Sequence, residues 1–123
     1  MLLPDYSCVL CNCGQEESLT HLLLQCPLAI QCWGMINVTV PQTYDPLQTL
    51  ESLKDQLNVP FFMEAIILMA WAIWSVRNDQ IFRGVVPTLQ AARFNFTNEW
   101  RLLLLRAKKS YFPMIEQWIA NLL

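Results

Sequence analysis

The chain has one histidine, three glycines and few charges, 15% of its 123 residues. Each scarcity narrows what it can do. With a single histidine there is no Ser-His-Asp arrangement, and once that residue is engaged elsewhere no histidine general base remains. Three glycines cannot build a glycine-rich phosphate loop. The carboxylates are scattered, and none forms a pair suited to two-metal catalysis. The uncharged run Ala65 to Val76 has 12 residues, short of the ~20 that a bilayer crossing requires. Residues 1–7 are too short for a signal peptide and lack its charged start. There are no repeats and no low-complexity tracts. The expectation is therefore not an enzyme and not a membrane protein, but one folded unit at most. Hydrophobic residues reach 54%, too many for a disordered chain and enough to suggest that a partner covers part of the surface.

What is present is concentrated near the start. Residues 8–26, CVLCNCGQEESLTHLLLQC, hold four of the five cysteines and the lone histidine. Cys8 and Cys11 have C-x2-C spacing, which lets a tight loop offer two thiolates to one ion. His21 and Cys26 add an H-x4-C pair. Zinc takes four such ligands in a tetrahedron, and a closed set of protein ligands marks a structural site. The expected ligands are Cys8, Cys11, His21 and Cys26, and the expected cofactor is Zn2+. The plainer alternative is a set of buried cysteines and a core histidine. Cys13 either replaces Cys11 or is a spare thiol beside the site, and Cys32 reads as a core cysteine. An odd cysteine count with zinc spacing argues against disulfides, hence an intracellular setting, cytoplasm or nucleus.

The segment around His21 reads as a short helix entered at Glu16 to Ser18, with acids near its positive end. Residues five apart lie about 140° apart on a continuous α-helix, so Cys26 is expected where that helix stops. Pro27 agrees, since it biases the preceding residue away from helical angles.

Residues HLLLQCPLAIQCW, preceded by C-x2-C, resemble the zinc-binding domain at the C-terminal end of plant non-LTR (LINE-type) retrotransposon reverse transcriptases. Cys8, Cys11, His21, Cys26, Pro27 and Trp33 carry that resemblance, and WAIWSVRNDQIFRG at 71–84 is similar to the segment that follows the domain. The polymerase aspartates and the ribonuclease H carboxylates have no counterpart here, nor has the N-terminal part of the domain. The resemblance implies an accessory zinc module or fragment, and nucleic acid as its ligand.

Beyond Cys26 the reading is helical throughout: a mainly α bundle with a zinc-stapled N-terminal knuckle, and room for a small β-hairpin only at the C-x2-C turn. Pro27 suits the first turn of a helix to Met35, with Ile30, Trp33 and Ile36 inward. Residues 37–46 read as a linker, dividing a zinc-binding subdomain at 1–36 from a helical region at 47–123. Leu47, Leu50, Leu53 and Leu57 predict an amphipathic helix ended by Asn58 and Pro60. A buried helix follows from Phe61 to about Phe82, apolar nearly all round, with Gly84 as its C-cap. Thr88 caps a helix to about Ser110, with Leu89, Ala92, Phe96, Leu103 and Ala107 as its seam and Trp100 beside it. A last helix covers Pro113 to Leu122.

The net charge of −2 is unevenly spread. Residues 1–75 hold one lysine against seven acids, whereas residues 76–110 hold seven bases against two acids. Arg93, Arg101 and Lys108 recur along one side of the predicted 88–110 helix, where they could contact RNA or DNA phosphates without reading sequence. The plainer alternative is an ordinary solvated helix face, which a pI near 5.2 favours. A protein-interaction role is the other function expected, through apolar helices docking on a partner or on a second copy.

Overall fold

Prolines and short polar side chains set the helix boundaries. The computed structural model describes residues 8, 10, 18, 20–41, 45–104 and 112–122. A π turn, His21–Gln25, leads into α1, Pro27–Met35, whose first residue is the predicted proline. α1 ends in a Schellman motif. The amides of Asn37 and Val38 donate to the carbonyls of Gly34 and Trp33, with Asn37 left-handed at φ 61°. α2, Pro46–Leu57, starts where the Asp45 carboxylate accepts a hydrogen bond from the Leu47 amide and stops at left-handed Asn58.

α3, Phe62–Arg83, ends at Gly84, whose φ of 67° no β-carbon opposes. The Thr88 hydroxyl accepts from the Ala91 amide and so caps α4, Leu89–Leu104. α5 is Phe112–Leu122. Among the described residues there is no strand, so the bundle is mainly α as expected. The suggested hairpin, and residues 105–110 of the predicted fourth helix, lie outside the described residues.

α3 and α4 form the central antiparallel pair. α1 packs on both, the π turn on α1 and α3, and α2 on α3. One buried cluster runs through all of them, from Cys8 and Leu22 to Trp100 and Ile115. It also includes Val38 and Val40, in the stretch read as a linker. The same stretch is pinned to α2 by one side chain. The Gln56 amide accepts from the Thr39 N–H at 2.7 Å and donates to its carbonyl at 2.8 Å, closing both backbone groups as a strand neighbour would. The π turn and α1 therefore share their core with the helices on the far side of residues 37–46.

Four expected faces are corrected. Ile30 is 41% exposed, and α1 instead buries Ala29, Cys32 and Trp33, because the helix is rotated to bring Trp33 under the π turn. Leu47 is 70% exposed. α2 instead seats Leu53, Leu57 and the small Thr49 against the core. Trp100 is fully buried at the centre of the α4 seam rather than beside it, edge-on to Phe61, Phe96 and Trp118. α3 is not buried all round. Ala65, Met69, Ala72, Ile73 and Val76 face the core, while Ile67 and Trp71 on the opposite side are about half exposed.

Candidate metal centre

The local backbone explains the H-x4-C spacing. The Ser18 carbonyl accepts from the Leu22 amide at 2.8 Å, and the Ser18 hydroxyl accepts from the His21 amide at 3.0 Å. Ser18 thus caps the segment three residues ahead of His21, the usual N-cap reach. The next bond is longer in register. The Cys26 amide donates to the His21 carbonyl at 2.7 Å, an i to i+5 closure. A π turn takes more residues per turn than an α-helix, so residues five apart come close to one face. That wider turn lets His21 and Cys26 converge, while Cys26 itself has left helical geometry, at φ −59° and ψ 135°, as Pro27 requires.

Cys8, His21 and Cys26 are all buried, and their ligand atoms lie within 4.8 Å of one another. The two sulfur atoms are 3.9 Å apart. Two thiolates at ~2.3 Å from a tetrahedral zinc would lie ~3.8 Å apart, whereas a disulfide would need ~2.05 Å. The three residues therefore stand close enough to hold a metal ion, at the separation a shared ion imposes. Cys11 and Cys13 lie outside the described residues.

Two supports were not evident from spacing. The Trp33 indole donates to the Leu23 carbonyl at 2.8 Å, tying α1 to the middle of the π turn. Leu22, on the same turn, is buried in the common core. The sequence signal for the first was only a tryptophan after Cys-Pro. Cys32, fully buried on α1, is not one of the three grouped residues. Burial pushes its thiol up to about 12 from an ordinary 9.0, which keeps it neutral and unreactive.

Of the predicted basic residues, Arg93 and Arg101 are exposed on α4, and Lys108 lies outside the described residues. Between α2 and the π turn lies an apolar cavity of about 350 Å³ lined by Leu23, Leu24, Trp33, Leu53, Ile66 and Ala70 among others. Among the described residues, no single helix is long and apolar enough to cross a membrane. Comparison with protein-family models, curated proteins and solved structures gives no match to this chain.

Proposed function

We propose that this protein is a non-catalytic module whose N-terminal corner is stapled by one structural zinc ion, completed by Cys11, and whose basic α4 face gives weak, sequence-independent nucleic-acid binding. The observation that carries the reading is the buried Cys8–His21–Cys26 group, with its sulfurs 3.9 Å apart. Zinc is favoured over other divalent ions because the donors are thiolate and imidazole, with no carboxylate among them. The Cys-x2-Cys, His and Cys-Pro pattern over residues 8–33 supports an origin in a retroelement reverse-transcriptase zinc-binding domain.

Elemental analysis of purified protein tests the metal. One zinc per chain is expected, with stoichiometric retention lost in Cys26→Ser. A full-length, folded protein that is free of metal after purification without chelators would overturn the reading.

A second reading, a protein-interaction module, is favoured by one observation. Met63, Ile67 and Trp71 recur every four residues on the solvent side of α3 and are each 40% or more exposed. Sedimentation velocity tests self-association through this stripe: a concentration-dependent dimer that Trp71→Lys returns to monomer supports it, and a monomer throughout removes it.

A further inference from the structure

On α4 the buried positions are Ala92, Phe96 and Trp100, with Leu89 and Leu103 partly covered. The opposite side carries Gln90, Phe94, Thr97 and Arg101, a 4-3-4 spacing that makes one stripe. Phe94 is 68% exposed, so it serves no packing role in the fold. Arg93 lies on the flank of the stripe, beside Phe94, and Arg101 lies two turns further on. The two arginines are ~12 Å apart along the axis, and Phe94 lies ~1.5 Å past Arg93 and ~20° around the helix from Arg101. Thr97 turns its hydroxyl back onto the Arg93 and Phe94 carbonyls and does not compete for a ligand. No position on the stripe is acidic, and Glu99 is turned ~140° away from Phe94.

The arginines of α3 behave differently. Arg83 lies 3.9 Å from Asp79, and Arg77 stacks over Trp74 at 4.8 Å and donates to Asn78. Among the described residues, no ion pair or hydrogen bond engages the guanidinium of Arg93 or of Arg101. α4 therefore presents two unengaged cations and an exposed aromatic ring on its solvent side.

From this we infer that the solvent face of α4 is a single-strand binding site, in which a base stacks on Phe94 while Arg93 and Arg101 hold neighbouring phosphates. The inference rests on the nucleic-acid reading above and narrows it. A duplex keeps its bases stacked on one another and offers phosphate alone. A single strand offers π-faces, and an exposed ring accepts any of them without reading sequence. An acidic protein would use the arginines and leave the ring without a function.

Fluorescence anisotropy on the full, zinc-loaded chain tests the site, with labelled oligo(dT), oligo(U) and a DNA duplex of equal length at low salt. Single strands should bind more tightly than the duplex. Phe94→Ala, at an exposed position, should weaken single-strand binding roughly 5- to 150-fold, the worth of one base–aromatic stack, and leave duplex binding unchanged. Phe94→Trp should restore it. Arg93→Gln with Arg101→Gln should lower the salt slope for single strands by about 1.4. If Phe94→Ala binds single strands as wild type does, the stacking site is wrong while nucleic-acid binding stands. If poly-glutamate displaces oligo(dT) at equal charge concentration and Phe94→Ala is silent, the face is an acidic-protein site instead. If the wild-type chain retains no nucleic acid at all, this inference and the nucleic-acid reading both fail.

Discussion

Around the π turn the buried side chains include two thiols and an imidazole within 4.8 Å of one another. Where α3, α4 and α5 meet stand three buried rings, Phe61, Phe96 and Trp100, and the partly buried Trp118, in contacts with centroids 5.4 to 6.2 Å apart and edge-to-face angles of 61° to 82°. Both corners belong to one hydrophobic cluster, yet their cohesion differs in kind. The rings gain from leaving water whatever the solution contains, with roughly 0.5–1.5 kcal/mol per favourable pair beyond area burial. Thiols and an imidazole bury little apolar surface. Under the proposed function their cohesion would come from an ion, which they bind only on losing their protons. One corner should therefore respond to chelators and acid, the other only to changes in packing.

Metal removal should produce the largest effect. Structural zinc contributes on the order of 10 kcal/mol in small sites, so chelation should abolish amide-exchange protection at His21 to Cys26 while α3 and α4 keep theirs. If both corners lose protection together at the same chelator concentration, they are not energetically separable. Acid should act like a chelator, because Cys8, Cys26 and His21 must be deprotonated to bind the ion.

Next comes Trp100→Ala, expected to cost about 3–5 kcal/mol for a fully buried ring when urea unfolding is measured in saturating zinc, with metal stoichiometry unchanged. Trp100→Phe should cost far less. It keeps a ring in place and removes an indole N–H that, among the described residues, is buried without a partner. A loss equal to that of the alanine variant would show that the N–H is engaged.

Trp33→Phe links the two corners and should cost about 1 kcal/mol, because the partly buried Leu23 carbonyl loses its donor. Unlike Trp100→Ala, it should also weaken zinc retention in a competition titration. An unchanged zinc affinity would mean that the π turn holds its shape without α1.

The effect that is smallest near neutral pH is that of alkali. The Cys32 thiol is raised in the folded chain to about 12, so above pH 9 the unfolded chain ionises while the folded one does not. Stability is thus fully present below pH 9 and falls by at most about 1.4 kcal/mol per pH unit up to pH 12. Cys32→Ala should remove that part of the slope in alkaline urea titrations, and an unaltered slope would place its origin elsewhere.

Local chemistry was readable from the chain alone wherever one residue type decides the outcome. Pro27 at the start of α1, Asn58 and Gly84 at left-handed ends and Thr88 as a cap each follow from backbone sterics or a nearby hydroxyl, with no need of distant neighbours. The grouping of Cys8, His21 and Cys26 was legible for a similar reason, since few side chains ligate soft metals and their spacing is short. Orientation was not legible. Leu47 and Ile30 fit helical periodicity as well as Leu53 and Trp33 do, and only the placement of α3 and α4 decides which are covered. Val38 and Val40 look like linker residues until Gln56 closes the backbone between them and the core takes both. The π turn escapes periodicity altogether. Its extra residue per turn is stabilised by Trp33 from the next helix and by the convergence of His21 with Cys8, contacts made across ten or more positions of chain. Propensity acts within a turn or two, whereas burial is settled by which elements meet.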